Sequence, residues 1–209
     1  MSCCAAQLDI SICRGATFSL PLRIEVSPLV YKPITSIANS APARLVVPAH
    51  GLPDGWRVAL VGVQGPTRLN SKNWPPKPKD FYKATVIDAN TIELNTVVTL
   101  DDTVHVASTG SLVYYTPADL AAFTDAMMQI KSDYGGDIIE SLFMSTGEIV
   151  IDLIDNRIFL TIPDTRTSLM SLEGGVYDLE FVSGATVTRL LGGNVKVCDE
   201  VTTVSSVLP

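Results

Sequence analysis

The stretch Glu148-Ile-Val-Ile-Asp-Leu-Ile-Asp-Asn-Arg-Ile-Phe-Leu-Thr-Ile162 carries the clearest structural signal in the chain. Its two halves, 148–154 and 157–162, place apolar residues at every second position, which is the period of a half-buried β-strand. Asp155-Asn156 between them is typical of a tight hairpin turn. We therefore predict a β-hairpin with one apolar face on each strand, formed by Ile149, Ile151 and Leu153 and by Ile158, Leu160 and Ile162.

The same alternation continues on both sides of this hairpin. Towards the C-terminus, Val176–Val182 is a predicted strand with Tyr177, Leu179 and Phe181 facing inward, and Leu190–Val197 is another. Near the N-terminus, two short strands are predicted around a turn at Arg14-Gly15, with the apolar positions Ile10, Ile12, Phe18, Leu20, Leu22 and Ile24. Pro21 lacks an amide proton, so its strand is expected at a sheet edge or a bulge.

The middle of the chain, residues 33–109, is rich in turn formers and β-branched residues. It contains four candidate strands: Ala43–Val47, Arg57–Val63, Phe81–Asp88 and Thr91–Leu94. Short strands with frequent turns indicate a small barrel or sandwich.

One helix is predicted after residue 115, with Thr116 as N-cap, Pro117 at the first helical position and Asp119 in the first turn. The next segment, 126–131, fits a helix or a strand equally well. The sequence thus predicts an all-β chain with one short helix. We predict that residues 1–32 and 111–209 form a discontinuous, immunoglobulin-like β-sandwich and that residues 33–110 form an inserted small β-barrel. Such an insertion replaces a hairpin loop at low entropic cost.

Composition excludes several classes of protein. Of the 209 residues, 46% are hydrophobic and only 18% are charged, which excludes intrinsic disorder and suggests that another chain covers some apolar surface. The net charge of −7 argues against nucleic-acid binding. No apolar stretch is long enough for a membrane span, and the N-terminus lacks the features of a signal peptide, so we expect synthesis in the cytoplasm and no membrane partner.

The residues that could carry chemistry are few and scattered. The four cysteines, Cys3, Cys4, Cys13 and Cys198, lack zinc-site spacing and are expected to be free thiols, although Cys13 and Cys198 become neighbours if the terminal strands pair. His50 is expected to bond the backbone of its turn, and His105 to lie on the exposed face of a strand. The pair Asp178 and Glu180 is expected on a solvent face. We predict no catalytic, cofactor-binding or metal-binding residues.

The loop 70–80 is the most distinctive surface candidate, since it holds Trp74 among three prolines and three lysines. We predict an intermolecular contact with Trp74 as its anchor. The partner-contact candidates are Trp74, Lys72, Lys77, Lys79 and Tyr82. The alternative is a solvated loop whose tryptophan folds back onto the barrel.

Two groups of motifs resemble known modules of tailed bacteriophages. The segment Asp9-Ile-Ser-Ile-Cys-Arg-Gly-Ala-Thr-Phe-Ser-Leu-Pro-Leu22 resembles the start of small β-sandwich domains in phage virion proteins, and Gly175–Phe181 and Val187–Thr202 resemble their end. The part between them resembles a second phage module, a small barrel, at the positions Ile34-Thr35, His50-Gly-Leu52, Gly55, Val58, Leu60, Gly62-Val63, Gly65, Leu69-Asn70, Tyr82, Val86 and Thr91-Ile-Glu-Leu94. The family often has Asp and Arg where this chain has Ala16 and Lys131, and the loop 74–79 is enlarged.

The resemblance implies a non-enzymatic structural protein of the virion, located in the tail, baseplate, fibre-attachment point or head–tail junction. The sandwich would be its docking domain, and the barrel would be an insertion that reaches a neighbouring protein. Its partners would be other phage structural proteins, with symmetric homo-oligomers in the virion and no cofactor. The alternative is a receptor- or carbohydrate-binding module at a tail tip, with Trp56, Trp74 and Tyr82 as stacking residues. A third possibility, an enzyme that acts on cell-wall polymer, is not supported by any catalytic arrangement of residues in the sequence.

Overall fold

The computed structural model describes residues 6–171 and 173–199. Strands make up 50% of the structure, which confirms the predicted all-β class. The immunoglobulin-like topology and the inserted barrel stay predictions. Cys3, Cys4 and the tail Val201–Pro209 lie outside the described residues, as do the first and last residues of the predicted docking domain.

The strands follow one another along the chain as β1 Ala6–Gln7, β2 Ile10–Cys13, β3 Phe18–Leu22, β4 Glu25–Pro33, β5 Ser36–Ile37, β6 Ala43–Val46, β7 Arg57–Val61, β8 Tyr82–Asp88, β9 Thr91–Leu94, β10 Ser111–Pro117, β11 Asp125–Lys131, β12 Ile138–Phe143, β13 Ile149–Asp152, β14 Arg157–Ile162, β15 Gly174–Ser183 and β16 Thr186–Cys198. Short 3₁₀ turns occupy Thr67–Leu69, Pro78–Asp80 and Leu120–Ala122, and α1 is Asp164–Thr167.

The predicted helix after residue 115 is wrong. Thr116 and Pro117 end strand β10, and Asp119 caps a single 3₁₀ turn by accepting a hydrogen bond from the amide of Ala121 at 3.1 Å. Residues 126–131 belong to strand β11, where alternate side chains are buried. Of the three predicted helix-start residues, only Asp119 acts at a helical turn, and there it is the cap. The turn does not continue as a helix, because the apolar residues of β11 have a period of two and pair with β12 and β15.

The chain folds as two compact units, which we call unit 1 and unit 2. Unit 2 contains residues 24–118 and 154–156. Its seven-stranded sheet has the order β4-β10-β7-β8-β9-β6-β5. Its core includes the fully buried side chains of Ile34, Leu45, Trp56, Leu60, Leu69, Ile92, Leu94 and Leu112.

Unit 1 contains, within the described part of the chain, residues 6–23, 119–153 and 157–199. A six-stranded sheet has the order β1-β16-β15-β11-β12 with β2 also paired to β16, and a three-stranded sheet has the order β13-β14-β3. Buried side chains alternate along β14 and β15, at Ile158, Leu160, Ile162, Tyr177, Leu179 and Phe181, as the sequence predicts. The strand β3 that contains Pro21 lies at a sheet edge, as expected. The prediction that Leu153 shares the apolar face of the hairpin is wrong, because β13 ends at Asp152 and Leu153 is exposed.

The unit boundaries differ from the predicted domain boundaries at 32/33 and 110/111. Strands β4 and β10 pair antiparallel from Ser111 opposite Pro33 to Pro117 opposite Glu25. This ladder joins β4 and the whole of β10 to the sheet of unit 2, so the boundaries lie at 23/24 and 118/119. The segment 25–33 was missed as a strand because it contains two prolines and no regular alternation of apolar residues.

The first and last described strands are neighbours in one sheet. Both β1 and β2 pair parallel with β16, and the register places Cys13 opposite Cys198. The terminal strands therefore pair, which makes Cys13 and Cys198 neighbours, and both cysteines are free thiols.

Candidate functional site

The loop that contains Trp74 is held in a defined shape by the carboxylate of Asp80. Its Oδ2 atom accepts hydrogen bonds from the side-chain amide of Asn73 at 2.7 Å and from the backbone amide of Lys77 at 2.9 Å. The hydrogen bond from Lys77, together with those from Asn73 and Ser71, holds the pKa of Asp80 below its ordinary value. Because these bonds connect the two ends of segment 73–80, the loop is ordered before any partner binds.

Trp74 lies on the surface of unit 2. Its side chain is 70% exposed, and its ring packs against Tyr31 of β4 with 5.7 Å between the ring centroids. Tyr31 is itself 44% exposed, so the two rings form an open aromatic surface. The tryptophan does not belong to the buried core of unit 2.

The other partner-contact candidates divide into two groups. Lys72, Lys77 and Lys79 are exposed in the same loop as Trp74 and give it a positive charge. Tyr82 is half-buried in β8 and packs against the core of unit 2, so most of its ring serves the fold. We call Trp74, Tyr31 and the three lysines the Trp74 surface.

Trp56 cannot be a stacking residue for a ligand. It is 1% exposed, and its indole Nε1–H donates to the carbonyl oxygen of Tyr115 at 2.9 Å. The alternating pattern predicts strand β7, which begins at Arg57. Trp56 lies just before this strand, where the pattern does not indicate the direction of a side chain, so the prediction of Trp56 as a stacking residue is wrong.

The two histidines serve the fold of unit 2. His50 is buried, its Nδ1 accepts from the amide of Leu52 at 3.1 Å, and its Nε2 lies 2.8 Å from the carbonyl oxygen of Asp88. The predicted bond to its own turn is confirmed. The prediction for His105 is wrong: His105 is buried in a loop, whereas Val104 and Val106 are 73% and 50% exposed. Its Nε2 lies 3.0 Å from the carbonyl oxygen of Thr109, so this ring nitrogen has a partner, whereas Nδ1 is buried without a hydrogen bond.

Unit 1 carries a polar cleft on its six-stranded sheet, with a volume of about 370 Å³. The register aligns Gln129, Asp178, Gly192 and Gln7 in one row across four strands. Because glycine contributes no side chain, the row has a depression at Gly192. Further lining residues are Lys131, Asp133, Tyr134, Tyr177 and Arg189.

The charges in this cleft are balanced. Arg189 forms ion pairs with Asp178 at 2.9 Å and Glu180 at 3.3 Å. Tyr177 donates its hydroxyl proton to the carbonyl oxygen of Leu8 at 2.6 Å, and burial together with the charge of Asp9 raises the pKa of Tyr177 to about 12. Tyr134 is 85% exposed, so its ring is available to a ligand.

Sequence reasoning missed this cleft, because its residues come from four strands and one loop that are distant in sequence. The available signal was that polar Gln129 and Lys131 alternate with buried Met128 and Ile130 in β11, but only the register shows that they pair with Asp178 and Val176.

The described residues contain no group of three or more His, Cys, Asp or Glu side chains arranged to hold a metal ion. No helix among them has the length and apolar character needed to cross a membrane. No protein-family model matches the chain, and no curated protein is significantly similar to it.

Proposed function

We propose that this protein is a non-enzymatic structural component of a tailed-phage virion that acts through protein–protein contacts. The observation that carries the proposal is the Trp74 surface, where a large exposed ring lies on a preordered loop. The resemblance of the sequence to phage virion modules gives the biological setting. Symmetric homo-oligomers and other phage structural proteins are the proposed partners, and the virion is the proposed location.

The chemistry of the Trp74 surface favours an acidic partner. Tryptophan and tyrosine bury much apolar area with little loss of side-chain freedom, and both are enriched at binding hot spots. Three exposed lysines lie in the same loop as Trp74, on a chain with a net charge of −7. Charge complementarity therefore selects an acidic face of a neighbouring subunit.

Replacing Trp74 with alanine tests this proposal. Because the ring is 70% exposed, Trp74→Ala should change the melting temperature of the purified protein by less than about 2 °C. Loss of a hot-spot anchor costs roughly 2 kcal/mol or more, so incorporation into particles should fall by about tenfold or more. Immunoblotting of purified virions measures the incorporation.

Leu100→Ala is the matched control, since Leu100 is 57% exposed in unit 2 but lies outside the Trp74 surface. It should leave incorporation unchanged. Normal incorporation of folded Trp74→Ala protein would contradict the proposal.

The cleft of unit 1 favours a second candidate function, binding of a neutral saccharide at a tail tip. An exposed aromatic ring packs well against the apolar face of a sugar, and planar amide, carboxylate and guanidinium groups bind its hydroxyls. Tyr134, Gln129 and Asp178 supply these groups around a cleft of suitable volume. The balanced charges in the cleft favour a neutral ligand.

Tyr134→Ala tests the second candidate. The ring is 85% exposed, so stability should be unchanged, while affinity for neutral oligosaccharides released from the host envelope should fall by at least about tenfold. NMR titration measures both affinity and the location of the shifts, and Tyr31→Ala in unit 2 is the control. Binding that is equally strong in Tyr134→Ala would exclude this site.

A further inference from the structure

Cys13 and Cys198 face each other across a parallel strand pair. They are register partners at the ends of β2 and β16. Adjacent strands lie about 4.8 Å apart, within the roughly 4.4–6.8 Å between Cα atoms that a disulfide spans. Ile12 and Val197, one position earlier on each strand, are both buried, so the two cysteines share the opposite, solvent-facing side of the sheet.

The backbone next to these thiols is fixed on both strands. The amide of Arg14 donates to the carbonyl oxygen of Cys198 at 3.0 Å. The guanidinium of Arg14 forms an ion pair with Asp199, and its Nε donates to the carbonyl oxygen of Met170 at 2.6 Å. These contacts hold the thiols side by side, so closing a bond between them requires little additional ordering.

The two thiols differ in their access to solvent. Cys13 is exposed and Cys198 is half-buried, and both are reduced in this structure. An exposed thiol beside a second, less accessible one has the arrangement of an attacking and a resolving cysteine. Because the pair lies at the surface, a disulfide formed there would be open to reduction as well.

We propose that Cys13 and Cys198 form a reversible dithiol–disulfide site whose co-substrate is a small-molecule disulfide such as oxidised glutathione. The thiolate of Cys13 attacks one sulfur of glutathione disulfide, forms a mixed disulfide and releases one glutathione thiolate. The thiolate of Cys198 then attacks the sulfur of Cys13 and releases the second. The protein loses two electrons and two protons, and the oxidant becomes two molecules of reduced glutathione.

The bond that forms ties the first part of the chain to its last strand. It joins β2 to β16 and closes a loop that contains unit 2 and nearly all of unit 1. Linking distant residues restricts the unfolded chain far more than the folded one. The oxidised protein is therefore the more stable form, and its terminal strands separate less readily.

The test uses the full chain in glutathione buffers of increasing oxidised fraction. Cys3 and Cys4 are replaced by serine so that only the proposed pair remains. Intact mass should show the loss of two hydrogen atoms, and peptide mapping should show Cys13 linked to Cys198. The melting temperature should rise by roughly 5–10 °C and return on addition of dithiothreitol.

Two matched variants identify the steps. In the same background, Cys198→Ser should accumulate one glutathione on Cys13, since no resolving thiol remains, and Cys13→Ser should show no stabilisation on oxidation. Circular dichroism of the reduced variants verifies their folding. Independent glutathionylation of both cysteines, or disulfides only between different molecules, would overturn the proposal.

Discussion

Trp56→Ala should lower the free energy of unfolding by about 3–5 kcal/mol, which is the usual cost of removing a buried tryptophan side chain. The ring is 1% exposed in the core of unit 2, and its removal leaves both a cavity and a carbonyl oxygen of Tyr115 without the indole donor. Urea denaturation followed by circular dichroism measures the change without depending on tryptophan fluorescence.

The chain provides its own control, because Trp74 is its second and last tryptophan. Trp74→Ala removes the same atoms from a surface and should cost less than about 0.5 kcal/mol. Similar losses in the two variants would show that the assignment of one ring to the core and the other to the surface is wrong.

Gly65→Ala should destabilise unit 2 by about 3 kcal/mol or more. Gly65 has a φ of +98°, and a Cβ atom added there would lie 2.3 Å from the carbonyl oxygen of Val104 and 2.9 Å from the Cα atom of His105. Both neighbours are backbone atoms, so the segment 104–106 must move, and the amide of Val106 loses its bond to Gln64. Thermal unfolding measures the loss, and hydrogen exchange at Val106 locates it.

Gly51→Ala separates the backbone strain of a positive φ from the steric clash of the added Cβ atom. Gly51 also has a positive φ, +66°, but an added Cβ atom meets nothing within 4 Å. It should therefore show only the backbone cost, about 1 kcal/mol. If Gly65→Ala is no worse than Gly51→Ala, close approach of the two backbone segments does not contribute.

The parts of the fold that could be predicted from the sequence are those set by local alternation. Along β14 and β15, every second residue is buried because the pleat sends successive side chains to opposite faces. Residues 104–106 show the same alternation, but the prediction that His105 is exposed is wrong. This segment is a loop whose conformation depends on contacts with Gly65 and Thr109. Local pattern carries no information about such contacts between distant segments.

The same limit applies to the candidate sites. The composition of the Trp74 loop identified it as a surface feature, and its residues are contiguous in sequence. Tyr31, which packs against Trp74, is 43 residues away and could not be found without the ladder between β4 and β10. The cleft of unit 1 depends on the register of four strands, which is set by pairing across the whole chain.

The pairing of β1 and β2 with β16 has a consequence for the order in which the protein folds during synthesis. Strands β1 and β2 have no partner in the six-stranded sheet until β16, which ends at Cys198, has left the ribosome. Unit 2 is almost entirely contained in residues 24–118, so its sheet is complete before β15 and β16 have been made. Domains fold as units while the chain emerges, and distant strand pairings form slowly. Strands β1 and β2 are therefore translated long before β16, with which they pair, and nascent unit 1 is the stage most exposed to aggregation.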